Sequence, residues 1–233
     1  MTTHFTPEAL KFLRALARHN DREWFTPRKP TYEREIKAPM LALIAEINHS
    51  LARVAPDHVR PPHKAMMRIY RDTRFDASRG IASRPYKTNV AAWWGLAGPQ
   101  AKLPKTSGAG FYFHFTPKET VIAAGIYMPT PPQLLAIRRH VEAHHAELRA
   151  LLASRKLHTA LPDFEGNPLT RAPRGFSPTS PALDLILCRR WGLSVTLPAE
   201  RATQPKLLKE IATRFALATP LVYFLNAPLV PAK

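Results

Sequence analysis

Apolar residues recur along this chain with two periods, and the switches between them predict its elements. After Thr6-Pro7-Glu8, Leu10, Leu13 and Leu16 step at helical spacing. Thr6 suits an N-cap, Pro7 the first helical position, and Glu8 the positive end of the helix dipole. Phe5 and Leu10 stand at hydrophobic-staple positions, and His19-Asn20 ends the run. Tyr32, Ile36, Met40, Leu43, Ile47, Leu51 and Val54 step by threes and fours, predicting one long amphipathic helix over 31–54. Pro39 lies inside it and predicts a kink, because the missing N–H and the bulky ring release the carbonyl of Glu35. Thr130-Pro131 opens another helix, with Leu134, Ile137, Val141, Leu148 and Leu151 on one face. A short helix is expected over 182–187 and a last long one over 200–217, with Leu207, Leu208, Ile211 and Phe215 inward. Pro220 to Leu225 then reads as a short apolar tail packed on the domain.

Elsewhere the period is two. Phe111, Phe113 and Phe115 share one face of a strand and Tyr112 and His114 the other. The turn Thr116-Pro117-Lys118-Glu119-Thr120 joins this strand to one over 121–128, as in an antiparallel hairpin. Gly125 in mid-strand predicts a bulge or a close backbone approach. Further strands are predicted over 66–72, 86–94 and 188–197, with Trp93 and Trp94 on opposite faces, so that at most one of them lines a site. Between Pro162 and Pro181, glycines and prolines are too closely spaced for regular structure. The strands lie together between helices rather than alternating with them. The expected fold is therefore α+β: a mostly antiparallel sheet packed by long helices, as a single domain over 1–233.

The chain has 233 residues, 45% of them hydrophobic, which suffices for a sizeable core. Its net charge of +17 and pI near 10.6 would attract a polyanion. That charge is diffuse, with no block of five basic residues, and argues only weakly for nucleic acid. Cys188 is the lone cysteine, which excludes an intrachain disulfide and a cysteine-rich metal site. The first residues lack a signal-peptide pattern and no apolar run is long enough to span a membrane, so a cytoplasmic protein is expected, with no membrane association and no cofactor.

The densest chemistry stands in Arg68-Ile69-Tyr70-Arg71-Asp72-Thr73-Arg74-Phe75, followed by Pro85-Tyr86-Lys87-Thr88. Alternation on a strand sends Arg68, Tyr70 and Asp72 to one face and Met67, Ile69 and Arg71 to the other. Arg71 then needs a partner, because an unpaired buried guanidinium is costly, and Asp72, Glu33 and Glu35 are the candidates. In one reading Arg68, Arg74 and Lys87 grip a phosphate or carboxylate, with Tyr70, Arg71 and Tyr86 beside them and Asp72 as orienting group or general base. In the other, the same residues form an internal ion-pair network that pins a loop to the sheet edge. Arg171 and Arg174, on a proline-framed loop, make a second candidate binding element. His140 and His144 stand four apart on a helix and could reach one metal, but no third ligand accompanies them. Because His144 continues the apolar stripe, a hydrogen-bonded core histidine is the expectation there.

The order of these motifs resembles the bacterial and fungal family catalogued as domain of unknown function 2461. The matching residues are Phe5, Phe12-Leu13, the Asn20 to Trp24-Phe25 segment, the run from Arg68 to Phe75, Pro85-Tyr86-Lys87-Thr88, Gly125-x-Tyr127-x-Pro129 and Leu169-x-Arg171-x-Pro173-Arg174-Gly175-Phe176. The stretch between Phe75 and Pro85 is longer here than the family's short link. The resemblance implies a shared domain and site, and suggests that Arg68, Arg74, Lys87, Arg171 and Arg174 form one basic pocket. It implies no particular reaction.

Three functions follow as expectations. The first is binding of a phosphorylated or other anionic small molecule in that pocket. The second is a nucleic-acid module that stacks bases on rings such as Tyr112, Trp93 or Trp94. The third is a structural or partner-binding domain whose arginines serve internal pairs. No glycine-rich phosphate loop is present, since Gly108-Ala109-Gly110 leads into a strand. Only 17 acidic residues face 34 basic ones, so not every arginine can have a carboxylate.

Overall fold

The computed structural model of the chain describes residues 4–73, 84–96 and 108–230. Five strands form one antiparallel sheet in the order β1-β2-β3-β5-β4: β1 (Val90–Trp94), β2 (Gly110–Phe115), β3 (Glu119–Ile126), β4 (Asp163–Glu165) and β5 (Trp191–Pro198). The helices are α1 (Pro7–Arg18), α2 (Arg22–Phe25), α3 (Lys29–Tyr32), α4 (Ala38–Val54), α5 (Pro62–Ala65), α6 (Pro131–Leu152), α7 (Arg155–Ala160), α8 (Leu183–Ile186) and α9 (Leu207–Asn226). The α+β expectation holds, with β4 an edge strand inside the stretch expected to be irregular.

Alternation sorts the sheet into two faces. Trp94, Phe111, Ala124 and Leu193 form one cross-strand row, and Ala92, Phe113, Ile122 and Val195 the next. These rows are buried, apart from the half-buried Val195, and α9 packs on β2 and β3 with α4 and α6 beside it. Trp93, Tyr112, Ala123 and Ser194 occupy the opposite face. Trp94 is thus core, its indole N–H donating to Asn48 Oδ1 at 3.1 Å, while Trp93 faces away from the helices.

Three helical details depart from the pattern. Thr6 is the N-cap residue of α1, yet its hydroxyl donates to Glu35 Oε2 at 3.1 Å instead of capping the helix. The long helix over 31–54 is interrupted by a π-turn at Glu33–Lys37, in which the Ala38 N–H reaches back five residues to the Glu33 carbonyl. That widened turn lets the chain accept Pro39, which has no N–H to return to Glu35. The expected C-terminal tail is the second half of α9, which runs through Pro220. Burial of Leu221, Val222, Phe224 and Leu225, each worth about 1.5–3 kcal/mol, outweighs the cost of about 3 kcal/mol for an internal proline.

His58 links this core to pH. It is fully buried, and its Nδ1 lies 2.9 Å from the Trp94 carbonyl. A carbonyl only accepts, so Nδ1 carries the hydrogen, and buried Nε2 has no partner. Burial pushes the His58 pKa down from its ordinary 6.5, and burial also lowers His114 and His140. A histidine with a depressed folded pKa contributes stability that is complete above pH 6.5 and is lost as pH falls through the depressed value. Each unit of depression at a buried site is worth about 1.4 kcal/mol. The melting temperature should therefore fall on acidification from neutral pH to about pH 5, within the usual histidine range. His58→Gln keeps a donor for the Trp94 carbonyl, cannot be protonated, and should flatten part of that fall in a thermal melt series.

Candidate functional site

The segment from Met66 to Arg71 runs antiparallel beside 85–92 without becoming a regular strand. The N–H of Met67 donates to Ala91 O at 2.8 Å, Lys87 to Ile69 O at 2.7 Å, and Arg71 to Pro85 O at 2.9 Å. Only two isolated bridges result, Met66 with Ala92 and Tyr70 with Tyr86. The bridges lie four positions apart on one side and six on the other (70 − 66 and 92 − 86). The excess is taken up where the chain bends at Thr88 and Asn89, and this breaks the ladder expected over 66–72.

On the other side of Tyr86, the side chain of Asn20 replaces a strand. Its Nδ2 donates to Tyr86 O at 2.9 Å and its Oδ1 accepts from Tyr86 N at 3.0 Å. Asp21 caps α2 by accepting from Trp24 N at 2.7 Å, so Asn20 sits immediately before a fixed turn. The buried Tyr86 ring stacks on Phe25 at 4.1 Å, and the half-exposed Tyr70 ring lies 5.5 Å from it.

Asn20, Arg71, Arg84, Tyr86, Lys87, Thr88 and Asn89 line a polar cleft of about 320 Å³. Lys87 is half-buried, and burial pushes its pKa down, with further lowering by the nearby Arg68. Among the described residues no carboxylate pairs with the Lys87 ammonium or the Arg68 guanidinium. Arg71 donates to the Arg84 carbonyl at 3.1 Å. Glu33 pairs with Lys37 and Glu35 with Arg34, each at 2.7 Å.

The structure therefore places Arg71, Tyr86 and Lys87 in one cleft; Arg68 and Tyr70 are exposed and not among its lining residues, Arg68 acting on Lys87 only electrostatically and Tyr70 lying beside Tyr86. Asp72 is exposed and is not among the lining residues. Arg171 and Arg174 are exposed on the loop after β4, and neither is among the lining residues. Arg74 lies outside the described residues. Asn20, Arg84, Thr88 and Asn89 join the cleft without having been expected there; the only sequence signal was the place of Asn20 and Thr88 in the family-like motifs.

A second cavity, about 660 Å³, lies on the sheet face turned away from the helices. Ala123, Gly125, Gly192 and Ser194 line its middle, and Trp93, Tyr112, His114, Tyr127, Met67 and Met128 are among its larger side chains. The Trp93 indole packs close over two glycines. A Cβ on Gly95 would stand 2.6 Å from its Nε1, and one on Gly110 would stand 2.9 Å from its Cζ2. Burial, then the neighbouring Tyr127, pushes the Tyr112 phenol up to about 12, so it is a neutral hydrogen-bonding group there. Burial lowers His114, opposed by Glu119, whose Oε1 lies 3.8 Å from Nε2. The guanidinium of Arg190 covers the Tyr127 ring at 4.7 Å and pairs with Glu165 at 3.2 Å.

The histidine helix offers less. The His140 and His144 rings are 4.5 Å apart, and His140 packs on Phe224 at 4.6 Å. His144 is exposed rather than part of the apolar stripe, because α6 kinks there (φ −124°, ψ 28°) and shifts the helical phase. No cluster of three or more metal-ligating side chains occurs among the described residues.

A family model described as "Conserved hypothetical protein (DUF2461)" matches residues 8–224, which spans every strand and both sides of the cleft. No curated protein and no solved structure matches the chain.

Proposed function

The chain belongs to the DUF2461 family of conserved hypothetical proteins, and we propose that within this domain the cleft at Lys87 binds a small phosphorylated or carboxylated anion. The observation that carries this reading is a half-buried lysine held beside Arg68 with no carboxylate partner among the described residues. Burial, and next the charge of the exposed Arg68 outside the cleft lining, disfavour the Lys87 ammonium, and an anion bound at Lys87 offsets both and restores the lysine's proton affinity. The Asn89 amide and the Thr88 hydroxyl line the same space and offer neutral hydrogen bonds, while the Asn20 amide is engaged by the Tyr86 backbone.

Internal pairing accounts for other basic residues, such as Arg149 with Asp184 at 2.6 Å and Arg201 with Glu210 at 3.1 Å, but not for this pair. The nucleic-acid reading loses support because Trp94 is buried, and Trp93 and Tyr112 line a cavity with no lysine or arginine among its described lining. Asp72 does not line the cleft, so the reading is binding, and no reaction is assigned to it.

Inorganic phosphate should raise the melting temperature above that in chloride of equal ionic strength. Lys87→Gln should remove this increment, while Lys209→Gln, at an exposed position of α9, should retain it. Because the anion favours the protonated lysine, its affinity should decline with rising pH earlier than an ordinary lysine pKa of 10.5 implies. A phosphate increment that survives Lys87→Gln unchanged would remove the cleft from consideration.

A further inference from the structure

Two stretches of backbone run from the polar cleft to the apolar groove. Met67 lines the groove, and Arg71, four residues further on, lines the cleft. On the neighbouring strand β1, Trp93 lines the groove, while Asn89, the residue before Val90, lines the cleft. We infer that the two cavities form one bipartite site, and that it takes a long-chain anion: a single hydrocarbon chain lying across the sheet, with its carboxylate or phosphate head in the cleft at Lys87. This rests on the anion reading above and adds to it the chemistry of the ligand's body.

Shape supports a chain. The row Trp93, Tyr112, Ala123, Ser194 and Asp163 crosses all five strands. Four strand spacings of about 4.8 Å make this about 19 Å, so the groove from Met67 to Glu165 is long as well as 660 Å³ in volume. Its depth comes from chemistry in the sequence: Ala123, Gly125, Gly192 and Ser194 are small where β3 and β5 face outward, with Trp93 and Tyr112 at one end.

Charge supports an anion with one head. The described groove lining holds no lysine or arginine, and its one carboxylate, Glu165, lies at the β4 end and is neutralised by Arg190 at 3.2 Å. Among the described lining residues of the two cavities, lysine and arginine stand in the cleft alone. A peptide or nucleic-acid strand would bring polar backbone groups along its whole length, and the groove meets these with four hydroxyls, of Tyr112, Tyr127, Ser194 and Thr196, and with the Trp93 indole N–H and the His114 ring, in a lining that is otherwise mostly apolar apart from the paired Glu165.

The test is displacement of the fluorescent fatty acid cis-parinarate from the full chain. Palmitate should displace it at least about tenfold better than hexadecanol, the uncharged twin, since a charged hydrogen-bonded head is worth at least about that factor. Lys87→Gln should weaken parinarate about tenfold or more, and Ser194→Leu, which fills the middle of the groove at a half-exposed position, should abolish its binding with the melting temperature kept. If parinarate does not bind, binds the Ser194→Leu protein unchanged, or is displaced equally by palmitate and hexadecanol, the bipartite site is wrong. The anion reading stands or falls separately, on whether inorganic phosphate still gives its Lys87-dependent rise in melting temperature.

Discussion

Gly125→Ala is expected to destabilise the protein by more than about 4 kcal/mol and to leave little folded material at physiological temperature. Gly125 sits in β3 with φ at +127°, a conformation that L side chains rarely adopt. A methyl group there would collide with the backbone carbonyl oxygen of Trp191 and stand 2.9 Å from the Cα of Gly192. Both obstacles are main chain in β5, so no rotamer change relieves them. β5 would have to move away from β3, to which it is paired from Glu119–Pro198 to Ile126–Trp191, with Trp191 fully buried behind it. Gly175→Ala is the control. That glycine also has positive φ, at +88°, but nothing lies within 4 Å of its added Cβ, so only the conformational cost of about 1 kcal/mol applies. Urea denaturation of the two variants separates collision from strain, and equal losses would refute the backbone-contact account.

Asn226→Ala is expected to cost about 2–5 kcal/mol. Asn226 is buried near the end of α9, where its Oδ1 accepts from Ala109 N at 2.8 Å and its Nδ2 donates to Ala109 O at 3.1 Å. Ala109 is fully buried and directly precedes β2, so truncation leaves one main-chain donor and one acceptor unsatisfied where water has little access. Hydrogen exchange should show Gly110 and Phe111 losing protection before the rest of the sheet. A variant that melts with the wild type would show that water replaces the amide at no cost.

Asn226 and Asn20 do the same thing in different places: a side-chain amide supplies both bonds that a neighbouring strand would have made. Nothing in a sequence marks such an asparagine, because its partner lies 117 residues away in one case and 66 in the other. The burial of the Ala109 and Tyr86 backbones that makes the amides necessary is itself a product of the fold.

What the sequence determined by itself was local and periodic. Alternation put Phe111, Phe113 and Phe115 on the buried face and Tyr112 and His114 on the other, and it separated Trp93 from Trp94, because pleating admits no other arrangement. Helical spacing assigned Leu10, Leu13 and Leu16 and then Ile36 to Leu51 to the core, and the mid-strand Gly125 marked a bulge or a close backbone approach, of which the structure has the latter, with β5. The cluster from Arg68 to Lys87 was likewise visible as a density of charge.

Only the tertiary structure decided where local preference was weak or was overruled. Pro220 should end a helix, but the apolar surface available to Leu221, Val222, Phe224 and Leu225 against the core carries α9 through it. Met66 to Arg71 has a strand's composition, but two extra residues on its partner reduce it to two bridges. The cleft gathers Asn20, Arg71 and Lys87 from three separate stretches, and the groove exists because small residues of β3 and β5 fall in register between aromatic residues of β1 and β2. Periodicity tells each residue which way to face. Which residues meet across the sheet depends on strand order and register, and these are settled by the burial of the whole core at once.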